Sequence, residues 1–309
     1  MKTPRSLAQA VALYLESRRQ LGFALKNEHR ALPGLARYAR SRGHRGPLTR
    51  ALAVAWAAQS PSRPQRACRL NMVRRFTRFW QAWDPATETP PSGLFGPGYH
   101  RRPVHIYSEQ EIGALLHATA CLGPAGGLRA VTVRTVLGLL ACTGMRISEA
   151  LHLQRQDVDW LQGCLTLAPG KSAQGRTIVL HPSTVAALRA YARRRDQIHP
   201  ATASTAFFLC TVGRPLAYST VRDAFLQLRQ HLGWTQPPRP RLHDLRHTFA
   251  VRRLLDWSRR EQPIGDLILS LSAYLGHRQV TDTYWYFSAI PELLEVVRDR
   301  FERGAPPWL

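Results

Sequence analysis

Apolar residues recur at helical spacing through residues 5 to 83 of the chain. In "SLAQAVALYLESRRQLG" the period sets Leu7, Val11, Tyr14 and Leu15 on one face. It continues through "NEHRALPGLARYARSRG", "TRALAVAWAAQS" and "RACRLNMVRRFTRFWQAW". Four short helices with arginine-rich outer faces predict a compact helical domain over residues 1–88. The period stops in "DPATETPPSGLFGPGYHRRP", where proline and glycine mark a boundary, and residues 89–105 read as a linker.

A second domain is expected over residues 106–309. In "YSEQEIGALL", Ser108 and Glu111 have the spacing of a capping box, so a helix begins there. A further helix, "LRAVTVRTVLGLLACTG", offers Gly144 as its C-terminal cap. "QDVDWLQGCLTLAPGKSAQGRTIVLH" alternates and turns like a small antiparallel sheet, with Lys171 in the hairpin between "CLTLA" and "RTIVL". Helical periodicity then returns, apart from a short hairpin expected in "AFFLCTVGRPLA". The fold class is therefore mainly α with one small antiparallel sheet. "PELLEVVRDRFERG" predicts one more amphipathic helix near the end.

Charge changes this picture. The chain has 309 residues, and its 43 basic against 20 acidic side chains leave a formal net charge of +23. Such an excess favours a polyanionic partner, nucleic acid before an anionic membrane surface. No uncharged apolar run approaches the length of a membrane span. Glu16 and Arg18 interrupt any signal-peptide core, and the N-terminus reads as an amphipathic helix. The five cysteines are scattered and never form a C-x-x-C pair, which argues against disulfides and zinc and for a reducing, cytoplasmic location. Only Lys2, Lys26 and Lys171 are lysine, so 40 of the 43 basic residues are arginine. A lysine deep in the chain is conspicuous.

Three segments join "LGHRQVTDTYWYFSAIPELL" as carriers of chemistry: "ACTGMRISEALHL", "PGKSAQGRTIVL" and "PRLHDLRHTFA". Singly, each has an ordinary reading: a helix-start arginine, an exposed turn lysine, a surface histidine pair at i, i+4. "HDLRH" differs from a zinc H-E-x-x-H by its shorter acid, and Arg246 sets a cation one turn from His243. "GKS" lacks the leading glycine of a phosphate-binding loop, since Leu165 stands there, and it joins two strands. Together, the arginines, lysine, histidines and tyrosine suit phosphoryl transfer without a metal. Guanidinium forks neutralise non-bridging oxygens. A tyrosine hydroxyl serves as nucleophile, though its pKa of about 10 means it needs help losing a proton. Lysine is a better acid for a departing alkoxide than arginine.

The order Arg146, Lys171, His243-x-x-Arg246, His277 and then tyrosine resembles the tyrosine recombinase (phage integrase) family, to which Xer and Cre belong. "TGMRISEAL", "HDLRHTFA" and "LGH" are similar to that family's best-marked boxes, over roughly residues 106 to 300. The resemblance implies a helical core-binding domain and a catalytic domain that clamp double-stranded DNA. It implies a 3′-phosphotyrosyl intermediate, with neither metal nor other cofactor. Arg146 and Arg246 would hold the phosphate, Lys171 would protonate the 5′-oxygen, His243 would assist proton transfer and His277 would hydrogen-bond the phosphate. Glu149 would orient the basic groups. Family spacing sets the nucleophile nine residues after His277, at Tyr286. At about 100° per residue Tyr284 and Tyr286 lie about 200° apart, so they cannot share one phosphate on an unbroken helix. Tyr284 falls in a stripe with Val280 and Phe287 and is expected in the core; Tyr286 falls on a more mixed face. The leading expectation is a recombinase of a phage or mobile element. It would act as a homotetramer or beside related recombinases, with the C-terminal helix docking on a neighbour. A type IB topoisomerase and a non-cleaving architectural protein are the alternatives.

Overall fold

The computed structural model describes residues 6–97, 103–124, 126–169, 175–260, 262, 264–277, 279–289, 294, 295 and 298. The expected C-terminal helix in "PELLEVVRDRFERG" lies almost wholly outside the described residues. The chain divides into two compact units, Met1–Arg102 and Pro103–Leu309.

The first unit is a bundle of α1 (Leu7–Gln20), α2 (Lys26–Ser41), α3 (Arg50–Ala58) and α4 (Arg63–Trp80). Three of these helices begin at hydroxyl caps: Ser6, Thr49 and Ser62 each accept a main-chain N–H from the first turn. The face of α1 read from the sequence is buried, and Val11 and Tyr14 meet Leu32, Leu35, Trp56, Val73 and Phe76. The proline-rich segment after α4 is held to this unit. Glu88 donates its N–H to the Leu48 carbonyl and accepts the Arg50 N–H, and Arg63 bonds the Phe95 carbonyl.

The second unit is built around α6 (Leu128–Thr143), which buries Val133, Val136, Leu137, Leu139 and Leu140 at once. A helix apolar on so many sides must be enclosed. Before it comes α5 (Glu109–Ala118), which starts at a complete capping box: Ser108 accepts the Glu111 N–H and Glu111 accepts the Ser108 N–H. After it come α7 (Ile147–His152) and a sheet of β1 (Val158–Asp159), β2 (Cys164–Leu167) and β3 (Arg176–Val179). The sheet is antiparallel in the order β1-β2-β3, and Leu165 pairs with Ile178 in the core. Then follow α8 (Pro182–Ile198), α9 (Tyr218–His231), α10 (Asp244–Arg259), α11 (Ile264–Leu275) and α12 (Thr281–Ala289).

The hairpin expected in "AFFLCTVGRPLA" is reduced to one bridge, Leu209 to Pro215. Leu216 and Cys210 still donate their N–H groups across the turn to the Phe208 and Arg214 carbonyls, while side chains of α8 take two further backbone groups: the Tyr191 hydroxyl accepts the Leu209 N–H, and buried Arg195 donates to the Phe207 carbonyl. A strand whose ladder groups are already satisfied has no reason to extend. Among the described residues no helix is long and apolar enough to cross a membrane, and the five cysteines form no disulfide.

Gly144 ends α6 in the left-handed conformation, at φ +63°. A Cβ there would lie 2.5 Å from the Phe249 ring. Gly144→Ala therefore combines left-handed strain with overpacking of α10, and should cost about 2–5 kcal/mol. A lowered urea midpoint with unchanged slope is the expected outcome, and an unchanged midpoint contradicts it.

Candidate active site

The last turn of α11 organises the site. Gly276, at φ +68°, closes the helix. The His277 N–H returns to the Ser272 carbonyl and the Gly276 N–H to the Ala273 carbonyl, a paired closure that only a left-handed residue permits at low cost. That leaves the next three carbonyls unpaired within the helix, and each accepts from a different arginine. Arg176 Nε donates to Tyr274 O (2.5 Å), Arg246 Nη2 to Leu275 O (2.7 Å) and Arg146 Nη2 to Gly276 O (3.0 Å). The negative end of a helix dipole favours such cations.

The arginines come from three separate elements. Arg146 caps α7, whose Glu149 accepts both its main-chain N–H (2.8 Å) and its guanidinium (3.0 Å). Arg176, on the inward face of β3, grips the same carboxylate with two parallel bonds of 3.0 and 2.9 Å. Burial alone would raise the Glu149 carboxyl. The Arg176 fork, the Arg146 N–H and the charges of both arginines outweigh it and hold the group below its ordinary value. Arg246 lies in the first turns of α10, is 3% exposed and also donates to the Gly144 carbonyl at 2.9 Å. Burial and then the Arg146 charge lower its pKa to about 10, so it stays charged at neutral pH.

At the start of α10, the buried Asp244 carboxylate accepts the Arg241 guanidinium and the Arg241 N–H, which fixes the turn carrying His243. His243 is solvent-facing, and its ring meets that of His247 edge to face at 4.7 Å. His247 Nδ1 lies 3.0 Å from the Tyr286 hydroxyl. Desolvation, followed by the His243, Arg241, Arg246 and His277 charges, lowers His247 to about 3 and keeps it neutral. His277 Nδ1 shares a 2.7 Å hydrogen bond with the buried Thr283 hydroxyl of α12. Its pKa is lowered to about 4 by burial and by Arg246 and Arg146.

The structure therefore gathers Arg146, His243, Arg246, His277 and Tyr286 of the candidate set around the end of α11. Lys171 lies outside the described residues. The expectation that Tyr284 packs in the core is overturned: Tyr284 is 52% exposed and Tyr286 is 2% exposed. Tyr286 packs on Phe249, Leu254, Leu271 and Leu275, so α12 turns inward the face that its sequence left mixed. Buried Thr283 shares that inward face. Burial raises the Tyr286 phenol to about 12 against the lowering charges of Arg246 and Arg146.

Sequence reasoning missed Arg176 and the role of His247. Arg176 alternates with buried Ile178 and Leu180, and a charge on the inner face of a strand was the available signal. His247 was read only as half of a surface pair, although its ring turns in toward Tyr286.

The phage integrase family model matches residues 107–291. The chain is 39% identical over 307 residues to the putative integrase/recombinase y4rB of Sinorhizobium fredii, covering 96% of each chain. It is 28% identical over 220 residues to the tyrosine recombinase XerD of Staphylococcus aureus, covering 70% of this chain and 69% of that one. Among solved structures, the Tn1549 transposon integrase in complex with transposon right-end DNA aligns with a TM-score of 0.69 at 17% identity, over 97% of this chain and 100% of that one. The XerH recombinase bound to its difH substrate aligns with a TM-score of 0.62 at 16% identity, over 88% and 78%.

Breaking the Glu149 bridge should be costly, because two half-buried guanidiniums lose their shared counter-ion. Glu149→Gln is expected to lose about 3 kcal/mol at pH 7 in urea unfolding. Because the folded carboxyl titrates below its unfolded value of about 4.3, its contribution is complete above that pH and fades as pH falls through the folded value. The gap between wild type and Glu149→Gln should narrow in that acid range; a gap independent of pH contradicts the assignment. His247 and His277 add a separate acid sensitivity. Their folded pKa values are depressed, so stability falls as pH drops below the unfolded value of about 6.5. His277→Asn should flatten the unfolding profile between pH 6.5 and 4.

Proposed function

The chain belongs to the phage integrase family, and on that premise we propose that it is a site-specific recombinase of double-stranded DNA with Tyr286 as its nucleophile. The observation that carries this reading is a buried phenol packed on the helix end that anchors two arginines: Tyr286 clusters with Leu275, whose carbonyl accepts Arg246, and the next carbonyl, of Gly276, accepts Arg146. A phosphodiester entering the cleft meets guanidiniums already oriented by helix carbonyls and by Glu149, so little reorganisation is needed as charge builds on the non-bridging oxygens. The phenolic oxygen attacks phosphorus, the bond to the 5′-oxygen breaks, and the 3′-phosphate stays on tyrosine. Lys171 supplies the proton that the departing 5′-oxygen takes up. The reverse attack by a 5′-hydroxyl from a second duplex rejoins the strand. Bond energy is stored in the phosphotyrosine, so the exchange needs no external energy source.

Affinity comes from the arginine-rich surface, which reads the DNA backbone and makes binding strongly salt-dependent. The likeness to a transposon integrase supports a mobile element as the setting. Strand exchange between two sites calls for a tetramer of this chain or a mixed assembly with related recombinases.

A randomised pool of nicked suicide duplexes, resolved on a denaturing gel, tests the reading. Wild type should form a covalent adduct, sequencing of which identifies the site. Tyr286→Phe should form none, and Tyr284→Phe should match wild type. Lys171→Ala should cleave about 100- to 10,000-fold more slowly. Absence of any wild-type adduct, or an adduct that survives in Tyr286→Phe, overturns the assignment. Relaxation of supercoils without exchange between two selected sites would favour a topoisomerase.

A further inference from the structure

The proton that Tyr286 loses on attack needs an acceptor within reach of its hydroxyl. The family resemblance gives His243 a part in proton transfer, yet His243 is exposed and its ring meets that of His247. The tyrosine hydroxyl instead meets His247 Nδ1 at 3.0 Å, with the two rings edge to face at 5.6 Å. Resting on the recombinase reading above, we infer that His247 is the group that aims the Tyr286 hydroxyl and accepts its proton as the phosphotyrosyl bond forms.

The geometry constrains both partners. His247 lies one turn beyond His243 on α10, and Tyr286 lies on α12, so the bond joins two separately packed helices. Tyr286 is enclosed by Phe249, Leu254, Leu271 and Leu275, which restrict its ring, while the imidazole sets the direction of its O–H. With Nε2 carrying the imidazole proton, Nδ1 offers its lone pair to the phenol.

At rest the proton stays on oxygen, since burial lifts the phenol to about 12 and holds the imidazole near 3. A DNA-free chain is thus kept from carrying a bare phenolate. The balance changes with substrate. The phosphodiester adds negative charge beside His247 and offsets the cations that depress it. The phenolic oxygen also loses basicity as it bonds to phosphorus. The O–H bond breaks, its proton passes to Nδ1, the Oη–P bond forms and the P–O5′ bond opens toward the acid. In the rejoining step the same imidazolium returns the proton to Oη as phosphotyrosine leaves.

Cleavage of the selected suicide duplex by variants tests this assignment. His247→Ala should slow adduct formation about 100- to 10,000-fold, while His243→Ala should slow it less. His247→Asn offers an amide oxygen near the Nδ1 position and should recover part of the loss, and added imidazole should recover activity in His247→Ala. A duplex with sulfur in place of the bridging 5′-oxygen has a leaving group that needs no acid. It should relieve Lys171→Ala and leave the His247→Ala defect in place. Wild-type rates in His247→Ala, or equal relief of both variants by the sulfur substrate, overturn the inference while the Tyr286 adduct still stands. Failure of wild type to form any adduct removes the recombinase reading itself. If His247→Ala does not fold, as shown by loss of its circular-dichroism melt, His247→Asn decides: a folded His247→Asn at the wild-type rate with full proton-dependent cleavage overturns the base role, and a slowed one supports it.

Discussion

The C-terminal turn of α11 is where the structure concentrates its positive charge. A helix that ends in a buried place leaves carbonyls without partners, and here Tyr274, Leu275 and Gly276 each receive an arginine from a different element. Sheet, α7 and α10 are thereby registered against one helix end. Residues 144–181 separate α6 from α8, yet Arg146 and Arg176 meet on a single carboxylate within them. Removal of Gly276's left-handed turn would misdirect all three carbonyls together.

Three guanidiniums share that space with one carboxylate, Glu149. The excess positive charge is tolerable because carbonyl dipoles and a helix terminus offset part of it. This is the sense in which the cleft is preorganised: the donors are fixed before the phosphate arrives, and the desolvation of Arg246 has already been met by packing. Two histidines kept neutral by burial and by the same cations then remain able to exchange protons without adding to the repulsion.

Much of this was legible from residue order alone. Helical period gave the first bundle, the Ser108 and Glu111 spacing gave the start of α5, and Gly144 was placed as the cap of α6. The boxes around Arg146, Arg246 and His277 were legible through their resemblance to the family's motifs, and the structure shows a structural neighbour beside each: Gly144 before Arg146, Asp244 before Arg246, Gly276 before His277. What was not legible depends on tertiary packing. Tyr284 and Tyr286 exchange their expected surroundings because α12 is oriented by Leu271, Leu275 and Phe249, which are distant in sequence. Arg176 hides in a strand that pattern alone reads as sheet filling. His247 looks like half of a surface pair until α12 is laid against it. The "AFFLCTVGRPLA" hairpin shortens where Tyr191 and Arg195 of α8 take the Leu209 N–H and the Phe207 carbonyl.

All of this converges on a single atom, the phenolic oxygen of Tyr286. Peptide mass mapping of a trapped protein–DNA adduct, after protease and nuclease digestion, reads the attachment directly. A nucleotide joined through its 3′-phosphate to the peptide at Tyr286, with a free 5′-hydroxyl on the released strand, is the result expected. Attachment at Tyr284 or at any other side chain, or a 5′-phosphate link, would contradict the account.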